Sequence, residues 1–314
     1  MGGSPLIGRG RELQALERAL EAALQGQGSS VLLVGEPGIG KSRLADELST
    51  RARAAGAAVA WGRAWESGGA PPLWPWREAL GALQLEASLR DDGGDRFLRF
   101  ARVEQAVRAR CAQGPVVLVL DDLHAADTST LELLVYLART SRQHRLLLLG
   151  TSRDVEARQR PEVEGLLARF AREGVRLWLG RFSREQVRAL AEGVAASPLP
   201  EAVLTQVFDA TEGNPFFVDE TVRAYLAQGT AAVPRGLPEG VRAVLQGRLG
   251  LLSSAARTVL ETAGVLGREL DPAVLAQLHA DAARALVEAE GTGALVRRED
   301  GRLAFAHVLL AEAL

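Results

Sequence analysis

Val31-Leu32-Leu33-Val34-Gly35-Glu36-Pro37-Gly38-Ile39-Gly40-Lys41-Ser42 is the stretch that decides how this chain reads. Its first four residues form a short, unbroken apolar run, as expected of a strand buried on both faces of a parallel sheet. Gly35 to Ser42 matches G-x-x-x-x-G-K-[ST] at every position. Ser42-Arg43-Leu44-Ala45-Asp46-Glu47-Leu48 then reads as an amphipathic helix, so the motif lies between a strand and a helix N-terminus. Glycines allow a tight turn that points backbone N–H groups at phosphate oxygens. The helix N-terminus adds partial positive charge. Lys41 would give the β- and γ-phosphates a compact charge, and Ser42 would give Mg²⁺ a hydroxyl. Gly35, Glu36, Pro37, Gly38, Ile39, Gly40, Lys41, Ser42 and Arg43 are the expected phosphate contacts. Lys41 is the only lysine in the sequence; every other Lys/Arg position is arginine. A lysine kept against that bias marks a place where an arginine fork does not fit.

Working outward, Val116-Val117-Leu118-Val119-Leu120 is a second aliphatic run, and it ends in Asp121-Asp122. A strand ending in carboxylates is the partner a phosphate loop requires. Asp121 is expected to hold Mg²⁺, directly or through water, and Asp122 to orient or deprotonate an attacking water. His124 reads as a local hydrogen-bonding residue, with no metal partners in the sequence. Asp127 is placed to cap a helix carrying Leu131, Leu134, Val135 and Leu137. A third run, Leu146 to Leu149, leads into Gly150-Thr151-Ser152-Arg153-Asp154. If it pairs beside the Asp121 strand, Arg153 emerges at the phosphate-loop end of the sheet, where ligands gather. Arg153 then reads either as a γ-phosphate sensor or as half of a surface pair with Asp154.

The chain has 314 residues, enough for about two domains. Its net charge of −2 excludes a global polycation that binds nucleic acid by bulk charge. Hydrophobic residues at 47% and charged residues at 24% are an ordinary globular balance. The single cysteine, Cys111, excludes an intrachain disulfide framework and reads as a small buried hydrophobe. No apolar run approaches the roughly 18 residues of a membrane span, and no signal-peptide core precedes Arg9. A cytoplasmic location is the expectation.

Five stretches occur in order: Leu6-Ile7-Gly8-Arg9, the phosphate loop, Leu120-Asp121-Asp122-Leu123-His124, Gly150 to Asp154, and Thr211-Glu212-Gly213-Asn214-Pro215-Phe216-Phe217. This ordered set resembles the signal-transduction ATPases with numerous domains (STAND). It is most similar to the ATPase modules of large LuxR-type transcription regulators and of cyclase-linked ATPases. The resemblance covers nearly the whole chain and implies ATP/ADP and Mg²⁺ as cofactors. It places Ile7, Gly8 and Arg9 on the adenine side and Pro215 of the lid motif near the base. Read without it, Gly8 is a turn glycine and Pro215 simply starts a helix. Many oligomeric ATPase motors carry Asp-Glu where this chain has Asp121-Asp122. The shorter carboxylate suits a slow switch better than a fast motor.

The expected fold class is α/β: a P-loop NTPase parallel sheet flanked by helices, then a helical lid and a winged-helix-like domain. The ATPase core is assigned to residues 1–180, the lid to 181–234 and the winged-helix-like part to 235–314. Leu13, Leu16, Leu20 and Leu24 stripe a first helix, Ala57 to Gly62 reads as a second strand, and Val175 to Leu179 as a fifth. Gly68 to Trp76, with Trp74 and Trp76, reads as a loop packed on the core. Arg63 and Glu66 before it are assigned nothing. Asp91 to Asp95 is a polar connection lacking the ligand spacing of a calcium loop. Val187, Leu190, Val194, Val203 and Val207 mark helix faces of the lid, and Gly229 to Gly240 a boundary. Helix faces then follow at Val244, Leu245 and Leu249, at Val259 and Leu260, and at Val274, Leu275 and Leu278. Asp300-Gly301 between two strand-like runs signals a hairpin.

Residues 236–314 carry a net charge of −2, and Glu299 and Asp300 sit among Arg297, Arg298 and Arg302. A phosphate-tracking surface needs clustered positive charge, so a regulatory packing module is favoured over direct DNA binding. The last residues read as a helix in progress. Further C-terminal repeats and a DNA-binding region beyond Leu314 are therefore expected. The ATPase motif begins soon after Met1, which favours the transcription-regulator branch. The function expected is a nucleotide-dependent signalling switch with weak Mg²⁺-dependent ATPase activity and effector-driven oligomerisation. Its rivals are an oligomeric AAA-type motor, a direct DNA-binding regulator and a nucleotide-binding scaffold that does not hydrolyse.

Overall fold

The computed structural model describes residues 6–65, 70–90, 95–228, 238–266, 269–297 and 302–314. They form two compact units. One comprises residues 9–36 and 40–179; the other comprises 180–314 together with 37–39 and the residues before Arg9.

The first unit opens with α1 (Gly10–Leu24), which buries Leu16, Ala19, Leu20 and Ala23 along one stripe. Then come β1 (Ser29–Val34), α2 (Lys41–Ala54), β2 (Ala58–Arg63), α3 (Trp74–Ala82), α4 (Arg96–Gln113) and β3 (Val116–Asp121). They are followed by α5 (Thr128–Thr140), β4 (Leu146–Ser152), α6 (Asp154–Arg158), α7 (Pro161–Arg172) and β5 (Val175–Trp178). The five strands make one parallel sheet in the order β2-β3-β4-β1-β5. β3 and β4 are buried at every position, which is why they read as unbroken aliphatic runs rather than as alternation. β5 is an edge: Val175 and Trp178 are exposed, and the Arg176 guanidinium lies 4.4 Å from the Trp178 ring centroid. Because the strands are parallel, the segments after Val34, Arg63, Asp121 and Ser152 all leave from one end of the sheet.

One expectation about this unit is corrected. Trp74, Pro75 and Trp76 do not lie in a loop but form the first turn of α3. Proline is tolerated there because the first N–H groups of a helix have no intrahelical partner. Trp76 is fully buried, and its indole N–H donates to the Thr130 carbonyl at 3.0 Å. Asp127 caps α5 as expected, accepting from the Thr130 N–H at 3.0 Å. Cys111 is buried, and desolvation raises its thiol to about 11, so it packs as a hydrophobe.

The second unit contains α8 (Arg184–Ala195), α9 (Glu201–Thr211), α10 (Pro215–Gln228), α11 (Glu239–Leu249) and α12 (Ser254–Leu266). After these come β6 (Glu269–Leu270), α13 (Pro272–Leu278), α14 (Ala282–Gly291), β7 (Leu295–Arg297), β8 (Leu303–Phe305) and α15 (Val308–Ala313). Ser183 and Gln186 close a capping box on α8. Phe182, Val187, Val203, Val207, Val218 and Val222 share one core, and Leu245, Leu260, Leu275, Leu286, Leu303 and Phe305 share a second. β6, β8 and β7 form a small antiparallel sheet. His307 ties the two cores together. Its Nε2–H donates to the Thr211 carbonyl at 2.8 Å, and its ring meets Phe217 edge-on at 4.9 Å. On α13 only Leu275 is buried, while Val274 and Leu278 are exposed, because so short a helix turns one face to the core. The expected boundary at residue 234 and the Asp300-Gly301 turn lie outside the described residues. So do Glu66, Gly68, Gly69 and the 91–94 part of the polar connection. Among the described residues, no helix is long and apolar enough to cross a membrane.

Candidate functional site

After β1 the chain turns through Gly38 and Gly40, with φ of +75° and +100°. These are left-handed conformations that glycine takes without a Cβ clash. α2 starts at Lys41, so its free N–H groups face the turn. The Lys41 side chain folds back over the loop, donating to the carbonyls of Gly35 and Glu36, each at 2.9 Å. It is nearly fully buried. Desolvation, reinforced by the charge of Arg153, lowers its pKa to about 8. Asp122, Glu156 and Asp121 offset part of that lowering, and the phosphates of a ligand would add further charge favouring the ammonium form.

Ser42, one residue on, donates its hydroxyl to Asp121, with Oγ at 3.0 and 3.1 Å from the two carboxylate oxygens. Asp121 ends β3 and is fully buried. Thr151 on neighbouring β4 donates to its Oδ1 at 2.6 Å and accepts from the Asp122 N–H at 2.9 Å. Asp122 itself sits in the left-handed region, φ +58°, a conformation aspartate tolerates better than most residues. Its Oδ1 lies 4.0 Å from Arg153 Nη2 and 3.9 Å from His124 Nδ1. Burial, with Arg153, Lys41 and Arg160 adding to it, lowers His124 to about 3, so this imidazole is neutral at physiological pH.

β4 lies between β3 and β1, and Arg153 follows directly from it. Asp154 pairs with Arg158 and Arg176, while Arg153 faces Asp122 and Glu156. Ile39 is fully buried, and Arg43 is exposed on the first turn of α2. Arg9 is buried beside Glu12, and burial lowers its pKa. Ile7 packs on the core of α8–α10, and the Gly8 carbonyl accepts from the Gln186 amide at 3.2 Å. Pro215 is the first residue of α10.

Ser42 and Asp121 are hard oxygen donors. Among the described residues, no group of three His, Cys, Asp or Glu could enclose an ion by itself. A few protein oxygens beside a phosphate cradle fit Mg²⁺, which keeps waters and phosphate oxygens as most of its ligands.

Three further residues, to which the sequence alone assigns no role, join the site. Arg63 ends β2 and pairs with Asp121: Nη2 and Nε stand 2.8 and 3.1 Å from Oδ2. The signal was available, because a residue ending a strand parallel to β3 emerges beside Asp121. Thr151 appeared only within a quoted motif. Asn214, also quoted, donates its side-chain amide to the Pro37 carbonyl at 3.0 Å and accepts from the Phe216 N–H at 3.1 Å. The Phe216 N–H also approaches the Gly38 carbonyl at 3.3 Å.

Residues 5–149 match the AAA ATPase domain family. The matched stretch takes in the phosphate loop, Asp121 and Asp122. An uncharacterised protein of Rhizobium meliloti (strain 1021) is 28% identical over 376 aligned positions, which cover 99% of this chain. The chain spans 35% of the length of that curated relative. Among solved structures, the Aeropyrum pernix ORC2 protein in its ADPNP–ADP complexes superposes with a TM-score of 0.65 at 17% identity. That match covers 98% of this chain and 93% of that one. A Walker-type ATPase of Pyrococcus abyssi superposes at 0.64 with 15% identity, covering 98% and 95%. At these identities the likeness is one of fold: the sheet and its loop are a P-loop NTPase fold.

Proposed function

We propose that the chain is a nucleotide-dependent signalling switch of the STAND class that binds Mg²⁺-ATP and hydrolyses it slowly. The observation that carries the reading is the Ser42–Asp121 hydrogen bond beside a buried Lys41 folded back over the loop. Together they support the reading of a phosphate cradle and a metal-binding carboxylate at one sheet end. Backbone N–H groups of the loop and Lys41 would bind the β- and γ-phosphates. Asp122 would orient a water in line with the γ-phosphorus and take its proton as the bond to the β–γ bridging oxygen breaks, releasing ADP and phosphate. Arg153, within 4.0 Å of Asp122, would steady the charge gathering on the transferred group. Mg²⁺, held through Ser42 and Asp121, would supply positive charge to the phosphate oxygens. His124, being neutral, adds no competing charge. Ile7, Gly8, Arg9 and Pro215 are proposed for the adenine side on the motif resemblance alone.

The switch reading extends to the second unit. α8–α10 would act as the lid, and α11–α15 with their three-stranded sheet as a winged-helix-like packing module. The His307–Thr211 and Arg181–Ala306 hydrogen bonds support that part, since they join the two cores of this unit by buried or part-buried contacts. Nucleotide would shift the population between two packings. A place in a LuxR-type transcription regulator, with effector sensing and DNA binding by other regions, is the larger proposal.

The test is steady-state ATP hydrolysis with Mg²⁺ over a range of protein concentrations, with Lys41→Ala as the blank. Turnover well below about 10 s⁻¹ and independent of concentration supports the switch. Fast turnover rising steeply with concentration would establish the motor instead. Salt-dependent duplex binding lost on charge reversal of Arg297, Arg298 and Arg302 would establish the direct DNA reader.

A further inference from the structure

The oxygens of Asp121 are fully subscribed. Oδ1 accepts from Thr151 at 2.6 Å, the Ser42 hydroxyl is shared between Oδ1 at 3.0 Å and Oδ2 at 3.1 Å, and Oδ2 also accepts from Arg63 at 2.8 and 3.1 Å. A carboxylate has about four lone-pair directions, so an incoming cation must displace one of these donors. Thr151 and Ser42 are short side chains fixed by β4 and α2. Arg63 is different: its backbone is pinned by the Arg63 N–H to Glu78 at 2.8 Å, yet its side chain is 64% exposed. It is the donor that can swing away into water.

The charge balance points the same way. A fully buried carboxylate is costly unless compensated, and Arg63 is the cation bonded to it. A guanidinium and Mg²⁺ at the same oxygen would repel each other. We propose that Arg63 is the resident counter-ion of Asp121 in the metal-free state, surrendering Oδ2 to Mg²⁺ and so competing with it. This rests on the nucleotide-site reading above and adds a residue to which that reading assigns no role. The arginine would keep the buried carboxylate paired and correctly turned between turnovers. It would also set how much Mg²⁺ is needed to load the site.

The experiment uses the full chain with saturating ADP and Mn²⁺ as a paramagnetic substitute for Mg²⁺, with free Mn²⁺ read by electron paramagnetic resonance. Arg63→Gln removes the competing charge and should bind Mn²⁺ about fivefold more tightly, a gain of about 1 kcal/mol. Arg63→Lys keeps a charge and should stay closer to the unaltered chain than Arg63→Gln does. ADP affinity without metal should change less than about twofold in either variant, since neither alters the phosphate loop. Mn²⁺ affinity unchanged or weakened in Arg63→Gln would overturn the proposal. Failure of the unaltered chain to bind ADP at all would overturn the nucleotide reading and this inference with it. Because Arg63→Gln leaves the buried carboxylate without its cation, near-ultraviolet circular dichroism first establishes that each variant is folded, and Arg63→Lys, which keeps a counter-charge, provides the comparison if Arg63→Gln is not.

Discussion

Ser42 Oγ stands 3.0 Å from Asp121 Oδ1, joining the first turn of α2 to the end of β3 across 79 residues of chain. The bond sets the hydroxyl and the carboxylate on the same small volume, where one ion could use both. Asp121→Asn keeps the shape and removes the charge. ADP affinity measured calorimetrically without metal should change little, while the gain produced by Mg²⁺ should fall by about tenfold, since charge rather than shape attracts the ion.

Lys41 makes binding pH-dependent. Its pKa near 8 in the free chain lies below the ordinary 10.5, and bound phosphates would raise it again. Binding between about pH 8 and 10 should therefore take up a proton, and affinity should fall as pH rises through 8. The stability term runs the other way. The unfolded chain holds this proton up to about 10.5 and the folded chain loses it near 8, so folding stability from this group rises with pH across that window. Calorimetry in buffers of different ionisation enthalpy measures the uptake. His124, titrating near 3, should contribute no step between pH 5 and 8.

Asp122→Asn should separate binding from chemistry. ATP affinity should stay within about threefold of the unaltered chain, while turnover falls about a hundredfold or more if this carboxylate takes the water's proton. Filter binding beside single-turnover hydrolysis reads both.

Asn214→Ala removes the amide from the Pro37 carbonyl and the acceptor from the Phe216 N–H. The Pro37 carbonyl then loses this donor and the Phe216 N–H keeps only its longer contact to the Gly38 carbonyl, a cost of about 1–3 kcal/mol in all. The middle of the phosphate loop should loosen. ADP affinity should fall several-fold, and amide exchange at residues 37–39 should speed up.

Trp76→Phe tests the corrected start of α3. It forfeits the indole bond to Thr130 and leaves that buried carbonyl without it, at about 1–2 kcal/mol. Trp76→Ala adds a cavity and should cost about 3–5 kcal/mol. Chemical denaturation followed by far-ultraviolet circular dichroism gives both values.

The local chain determined the parts whose chemistry is written in consecutive residues. Gly35 to Ser42, the aliphatic runs of β1, β3 and β4, and Asp127 as a cap were all legible, because strand burial, loop geometry and capping are set within a few positions. Trp74-Pro75-Trp76 misled because proline and neighbouring glycines signal a loop, while a helix's first turn accepts the same residues. What only the tertiary structure decided is which distant side chains share a charge. Ser42 was legible as a companion of Asp121 through the Mg²⁺ both are expected to hold, whereas Arg63 and Thr151 come from two other strands and become its partners only once the strand order is known. Parallel strand order puts their ends together, and the cost of burying a carboxylate alone makes those particular groups converge on it.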